Sequence, residues 1–490
     1  MTFLGIDLGT SEIKATLVDG AQKILASASV KLDLSNPQPH WAEQNPEDWW
    51  NATLTAIAEV RLAAPNGFAA LRGIGLSGQM HGASLLDKEH KVLRPAILWN
   101  DTRSHAECLE LETRAPHSRA ITGNLAMPGF TAPKMLWLKK HEPAIFDQVD
   151  KVLLPKDYIA YRLSGEFVSE PSDASGTLWL DVAKRDWSDG MLEASHLTRN
   201  HMPRLVEGNQ AGAQLREDLR RAWGIEQTVL LAGGAGDNAA AAIGIGAIAP
   251  GNAFLSLGTS GVLFVCNDRF MPNPEQAVHA FCHCLPQSWH QMSVILSAAS
   301  SLAWAARLTQ TSDAGELAQL AHSANPAQAP IFLPYLSGER TPHNDAQASG
   351  VFFGLRNNTG RAELAYSVME AVAFAMADGY AALQTTGSVI ERASFVGGGS
   401  RSQFWGQLIA SATGMTLLRH KDGDFGGAYG AARLARMAVT GESVASVCSM
   451  APVAEEITPV AAMSAIMPER LARYRRLYAT LKSEFALSSM

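Results

Sequence analysis

The sequence predicts an α/β protein built as two similar lobes around a cleft, and three observations carry that expectation. First, Leu8-Gly9-Thr10-Ser11 returns as Leu257-Gly258-Thr259-Ser260, 249 positions later in a chain of 490. Second, each copy is entered by an apolar run (Phe3-Leu4-Gly5-Ile6, then Ala253-Phe254-Leu255) and left by another (13–18, then 262–265). That is the pattern of a strand, a tight small-residue turn and a second strand. Third, strand-like and helix-like segments alternate along the whole chain, and Pro250-Gly251 interrupts it near the middle. Domains at 1–249 and 250–490 are therefore expected.

Residues 46–61 read as the first helix, with Asn45 as N-cap, Pro46 at the first position, and Glu47 and Asp48 in the first turn. Residues 71–78 form a short buried strand ending in Ser77-Gly78, and 229–232 a second that runs into Gly233-Gly234-Ala235-Gly236. Leu364, Val368, Ala371, Val372 and Phe374 recur at helical spacing after Arg361-Ala362-Glu363. The strand at Phe395-Val396 gives onto Gly397-Gly398-Gly399-Ser400-Arg401-Ser402, with a helix expected from Gln403. Near the end, Leu471, Tyr474, Leu477, Leu481 and Phe485 make one apolar stripe on a basic helix, expected to dock on its own domain.

Composition narrows the function classes. With 47% apolar and 18% charged residues the chain can bury two cores. A net charge of −7 offers nucleic acid no basic field. The first ten residues carry Asp7 inside their apolar stretch and lack a cationic lead, which argues against a signal peptide. The longest uncharged apolar tract, 238–248, is about half of what a membrane-spanning helix needs. A cytoplasmic protein with no membrane partner is expected. Five cysteines make no disulfide framework. Cys282-His283-Cys284 puts two thiols on one strand face without a second ligand pair at zinc spacing, so it reads as structural.

The chemistry begins at the repeated turns. Gly9-Thr10-Ser11 and Gly258-Thr259-Ser260 each offer backbone N–H groups and hydroxyls to one point, an anion cradle suited to phosphate. Asp7 precedes the first turn where Ser256 precedes the second, so one lobe alone carries a carboxylate fit to hold hydrated Mg2+. Gly398, Gly399 and Ser400 would let a flat adenosine approach the backbone. Neither G-x-G-x-x-G nor G-x-x-x-x-G-K-[ST] occurs there, so two phosphate turns and a nucleotide shelf imply ATP between two lobes. Asp237, in Gly236-Asp237-Asn238, is the candidate proton acceptor for an attacking hydroxyl, with a loop carboxylate capping the next helix as the other reading. Met80, His81, Trp99, Asp101 and Asn238 are the candidates for holding the acceptor.

At these residues the chain resembles the FGGY carbohydrate kinases, within the superfamily of sugar kinases, actin and heat-shock ATPases. One family signature is matched by Gly129-Phe130-Thr131-Ala132-Pro133-Lys134-Met135-Leu136-Trp137-Leu138-Lys139-Lys140-His141. The other is matched by Gly350-Val351-Phe352-Phe353-Gly354-Leu355 and, seven residues on, Glu363-Leu364-Ala365-Tyr366-Ser367-Val368-Met369-Glu370. Met80-His81, where glycerol kinases have an Arg-Glu pair, resembles the members that phosphorylate D-xylulose, as does Ser337-Gly338-Glu339-Arg340-Thr341-Pro342-His343. The resemblance implies two ribonuclease-H-like domains with an interdomain cleft. It further implies ATP-dependent formation of D-xylulose 5-phosphate, which carries xylose into the pentose phosphate pathway.

On these positions the resemblance makes Asp237 the base for the 5-hydroxyl and Met80, His81, Trp99, Asp101 and Asn238 the sugar pocket. It places Asp7 by magnesium, the two Gly-Thr-Ser turns on the phosphates, and Gly398-Gly399-Ser400 on adenosine. Glu12, where many relatives have Gly, and Ala235, inside a glycine run, depart from the pattern. A kinase for another pentulose or a polyol, such as ribulose or arabitol, is the near alternative. A nucleotide-gated binding protein of the actin or chaperone kind is the distant one. The sequence is compatible with a monomer or a homodimer.

Overall fold

A computed structural model describes residues 1–421 and 426–487. The first sheet starts with β1 (Thr2–Leu8), β2 (Glu12–Asp19) and β3 (Ile24–Lys31), an antiparallel meander. Helix α1 (Pro46–Ala63) follows, and the Asn45 side chain accepts from the Glu47 N–H as its cap. Next, β4 (Leu71–Gly78) pairs parallel to β1, setting Asp7 opposite Ser77 and Leu8 opposite Gly78. The short helix α2 (Pro171–Ser175) lies between this sheet and the second. Two further strands, β5 (Ala211–Gln214) and β6 (Leu230–Ala232), complete the order β5-β6-β4-β1-β2-β3, and the two-residue strand Ala235–Gly236 also pairs with β4.

Helix α3 (Asp237–Ile245) leads across Pro250-Gly251 into the second sheet. Its strands are β7 (Ala253–Leu257), β8 (Gly261–Asn267), β9 (His279–Cys282) and β10 (Trp289–Ile295). After the long helix α4 (Arg361–Gln384) come β11 (Arg392–Val396), helix α5 (Gln403–Thr413) and β12 (Thr416–His420). Helix α6 (Gly427–Thr440), β13 (Val453–Ile457) and helix α7 (Ala461–Leu487) end the chain. The sheet order is β9-β10-β8-β7-β11-β12-β13. Its centre repeats the first sheet: an antiparallel hairpin around a Gly-Thr-Ser turn, a third antiparallel strand outside it, and a parallel strand on the hairpin's first arm. The expected duplication is present, and Ser256 occupies the place of Asp7.

The packing does not divide where the chain does. Helix α6, from the second half, lies on β1 and β4 of the first sheet and against α3. Its approach is backbone to backbone: a Cβ on Gly75 would stand 1.9 Å from the Ala431 carbonyl oxygen, and one on Gly430 would stand 1.9 Å from that of Ala240. Glycine is required at both positions because any side chain would lift the helix off the sheet. The two lobes also share an apolar cluster in which Met80, Phe130 and Met135 meet Phe254, Phe264 and Phe281. Helix α7 docks as expected, with Tyr474 and Phe485 buried and Leu471, Leu477 and Leu481 against the second core. Among the described residues no helix is long and apolar enough to cross a membrane. All five cysteines are buried and unbridged, and no group of three or more metal-binding side chains occurs among the described residues.

Candidate active site

The parallel pairing of β1, β4 and Ala235–Gly236 brings three strand ends to one edge of the first sheet. Open α/β sheets place ligands at such edges. Asp7 accepts a hydrogen bond from Ser77 Oγ at 2.7 Å, and burial raises its carboxyl above the ordinary range. The amino end of α6 abuts it, since a Cβ on Gly427 would stand 2.8 Å from Asp7 Oδ1 and 2.7 Å from Ser77 Oγ. Asp237 occupies the first position of α3, after Gly236 as cap. Its Oδ1 accepts from the Asn238 backbone N–H at 2.6 Å and from Asn238 Nδ2 at 2.8 Å. Burial pushes this carboxyl up to about 6 and the Asp7 charge adds to the rise, while the Asn238 donors oppose it. A carboxylate poised near neutral pH suits a general base.

His81 follows β4 in the left-handed region, at φ +71°. A non-glycine residue held there marks a position fixed by its surroundings. Here Thr131 Oγ1 and Lys134 Nζ both donate to the His81 carbonyl, at 3.1 and 2.9 Å. The ring is equally constrained, with Nδ1 2.6 Å from the Gly176 carbonyl oxygen and Phe130 edge-on at 4.7 Å between centroids. Burial pushes the imidazole down to about 3, so it is neutral. Nδ1 therefore carries the proton that Gly176 accepts, and Nε2 keeps a lone pair for a ligand hydroxyl. Met80 is buried beside it, its Cε and the His81 ring both flanking Gly176.

Helix α2 ties these two groups together. Its Ser172 Oγ accepts from the Gly236 N–H at 3.1 Å, next to Asp237, while the Gly176 carbonyl at its far end holds His81. Glu170 caps the helix through the Ser172 and Asp173 N–H groups and accepts from Ser172 Oγ. Behind it the buried Lys156 ammonium stands 2.5 Å from Asp157, 3.4 Å from Asp173 and 4.0 Å from Glu170. Sequence reasoning missed this frame. Phe130, Thr131 and Lys134 lay inside a motif quoted for resemblance alone, and their bracing of His81 crosses about 50 residues of chain.

Other candidates fall differently. Trp99 is 39% exposed and donates from Nε1 to Thr10 Oγ1, which in turn donates to Gln79 Oε1. Asp101 is not available to a ligand: it is 1% exposed and its oxygens accept from the Ala42 N–H and from Arg103 N, Nε and Nη2. The guanidinium two residues on, stacked 3.6 Å over Trp41, takes the carboxylate that was expected to bind hydroxyls.

The phosphate turns retain only part of the expected cradle. The Gly9 N–H is closed onto the Glu12 carbonyl and the Gly258 N–H onto that of Ser260, which leaves the N–H groups of Thr10, Ser11, Thr259 and Ser260 as candidate donors. Glu12 is exposed at the rim. At the glycine cluster, a cavity of about 480 Å³ is lined by Gly397, Gly398, Ser400, Arg401, His420 and Ile245, among others. Gly399 faces away from it, since its Cβ position meets the Leu257 side chain at 2.5 Å. Its glycine serves packing instead of an open shelf.

A magnesium ion needs little from such a site, because it is held by one or two carboxylates together with phosphate oxygens and water. Asp7 Oδ2 has no hydrogen-bond partner among the described residues, and Asp7 and Asp237 feel each other's charge. The donor set therefore fits one hydrated divalent cation.

The FGGY family of carbohydrate kinases matches this chain twice, its N-terminal domain over residues 2–244 and its C-terminal domain over 253–439. The xylulose kinase of Escherichia coli K12 is 50% identical over 481 residues, covering 98% of this chain and 99% of that protein. The crystal structure of a xyloylose kinase from Brucella ovis superposes with a TM-score of 0.96 at 49% identity, covering 99% and 100% of the two chains. That of xylulose kinase from Rhodospirillum rubrum gives 0.90 at 28% identity with the same coverage. A duplicated sheet, a buried carboxyl and a neutral imidazole at one strand edge, and relatives matched end to end lead to one assignment: the chain belongs to the FGGY family of carbohydrate kinases.

Proposed function

We propose that this chain transfers the γ-phosphoryl group of ATP to the 5-hydroxyl of D-xylulose, with Asp237 as the proton acceptor, in the cytoplasm. The observation that carries the reading is the joint placement of Asp237 and His81 by one short helix, with Asp237 raised to about 6 and His81 neutral. The full-length relatives, named as xylulose kinases, support the choice of sugar. The half at 1–249 presents the sugar and the half at 250–490 presents ATP, with adenosine in the cavity beside Gly398 and Ser400. His81 Nε2 accepts from a sugar hydroxyl, Asn238 Nδ2 holds Asp237 Oδ1 in place, and Met80 covers carbon. Bound at Asp7, Mg2+ would neutralise phosphate charge. The N–H groups of Thr10, Ser11, Thr259 and Ser260 are assigned to the phosphates.

Sugar binding closes the cleft and excludes water from ATP. The reading is tested by an ADP-release assay with D-xylulose, L-ribulose, D-ribulose, D-arabitol and glycerol. D-xylulose should give the highest kcat/KM, and sugar-free ATP turnover should be slow. A preference for another sugar would replace the substrate, and equally fast sugar-free turnover would end the closure account.

A further inference from the structure

The segment 337–343, Ser-Gly-Glu-Arg-Thr-Pro-His, belongs to the second lobe. It connects two short strands of the second lobe, Ile331–Leu333 and Val351–Phe353, and its backbone is held from several sides. Glu339 and Asp345 exchange backbone hydrogen bonds at 2.8 Å, and Glu339 Oε1 accepts from the N–H groups of Leu296 and Arg340. The Thr341 N–H donates to Val294 O, while Thr341 Oγ1 donates to Ala277 O and accepts from the Val294 N–H. This bracing presents the Arg340 side chain from the second lobe toward the wall that carries His81.

The guanidinium has one hydrogen-bond partner among the described residues, His279, with Nη1 3.2 Å from Nε2. The tautomer follows from the other side of that ring. Asn124 Oδ1 can only accept, and it lies 3.2 Å from His279 Nδ1 while also accepting from the Ala280 N–H. Nδ1 therefore carries the proton and Nε2 receives Arg340. The chain of contacts runs from Arg340 through His279 to Asn124 of the first lobe. Arg433, by contrast, reaches Gln22 and the carbonyls of Ile243, Gly244 and Ser449, and Arg103 is paired with Asp101 and Glu43. A desolvated guanidinium on a single neutral imidazole is an expensive arrangement unless a ligand completes it. Arg340 is only half-buried, and its remaining nitrogens, not among the fully enclosed unpartnered atoms, keep enough access for a ligand to reach them.

Position along the wall indicates what completes it. Gly236, the neighbour of Asp237, leads to Met80, Met80 to His81, and the His81 ring to Phe130 at 4.7 Å. Phe130 leads to His279 at 5.6 Å, and His279 to Arg340. A linear sugar whose reacting hydroxyl meets Asp237 and whose middle meets His81 has its other end toward Arg340.

We propose that Arg340 is a specificity-determining sugar-binding residue supplied by the second lobe, donating to the oxygens on C1 and C2 of the ketose. The proposal rests on the reading given under the previous heading. It also makes the sugar itself a tie between lobes, gripped by His81 on one side and Arg340 on the other. A charged donor to a neutral acceptor is worth enough that its loss weakens binding by about 10- to 100-fold.

The test compares wild type, Arg340→Met and Arg340→Lys on D-xylulose and on 1-deoxy-D-xylulose, with KM for ATP and a thermal melt as controls. Arg340→Met should raise KM for D-xylulose at least tenfold while KM for ATP stays within twofold. The preference of wild type for D-xylulose over its 1-deoxy analogue should shrink toward one in that variant. Arg340→Lys, which keeps the charge but not the fork, should fall between, and it carries the test if the Met protein does not fold. An unchanged KM for D-xylulose, an equal loss for both substrates, or an undiminished deoxy penalty overturns the proposal. Failure of the wild type to phosphorylate D-xylulose at all would instead overturn the assigned substrate, and the two outcomes are distinct.

Discussion

Asp237→Asn should lose activity and gain stability, and both effects come from the same burial. The general base of a phosphoryl or proton transfer contributes about 10²- to 10⁴-fold, so kcat/KM should fall by that factor. The Asn238 donors meet Oδ1 alone, which an amide oxygen can still accept, so the local geometry survives. In the folded wild type the carboxyl is raised to about 6 from an ordinary value of 3.8. At any pH above 6 the folded chain therefore holds a charge that the unfolded chain solvates better. At about 1.4 kcal/mol per pH unit that penalty reaches at most ~3 kcal/mol, and about 1–3 kcal/mol once the partial access of the cleft to water is counted.

The sign runs with pH. The folded protein binds a proton between about pH 4 and 6 that the unfolded protein has released, so wild-type stability falls as pH rises through that window. The amide does not titrate. Its advantage is full above pH 6 and vanishes near pH 4. Thermal melts at pH 4.5 and 7.5 should show the variant more stable only at the higher pH, and wild-type kcat/KM should drop tenfold per unit below about pH 6 while the residual activity of the variant stays flat. Equal melts at pH 7.5, or a loss of kcat/KM under tenfold, would refute both the buried charge and its use as a base.

Lys156→Met should remove the ammonium that pairs with Asp157, Asp173 and Glu170 and cost about 3–5 kcal/mol, read as loss of cooperative unfolding or of soluble protein, since it leaves buried carboxylates unpaired. Gly75→Ala should separate α6 from β4, because a methyl cannot occupy a point 1.9 Å from the Ala431 oxygen; hydrogen exchange along residues 427–440 should rise, and wild-type protection there would contradict the packing.

The two-lobe plan was legible because its evidence is local and repeated: Leu-Gly-Thr-Ser twice, each between two apolar runs, yields the hairpins at Gly9 and Gly258. The gathering of Asp7, His81 and Asp237 at one sheet edge was legible for a related reason, since Asp7 lies at the end of an apolar run and His81 and Asp237 each follow one that ends in small residues. Asp101 misled because a carboxylate beside Trp99 gives no sign that Arg103, two positions on, will take both its oxygens. Gly399 misled because a third consecutive glycine looks like an open shelf, although its neighbour in space is Leu257. The placement of α6 had no local signal. What decides it is the match of Gly430 to Ala240 and of Gly75 to Ala431 across roughly 190 and 350 residues. Arg340 stood in a quoted motif, but its open donors depend on a partner, His279, that only folding supplies.

The position of α6 on the first sheet also bears on the order in which the protein is made. The last strand residues of that sheet, Ala235 and Gly236, leave the ribosome about 200 residues before Thr440 does. At 5–20 residues per second the first lobe waits about 10–40 s with the backbone of β1 and β4 uncovered on one face. A chain stopped at residue 249 would keep that face bare. The first half is thus completed by the second, and a nascent chain of this length is the natural client of whatever shields an exposed sheet during synthesis.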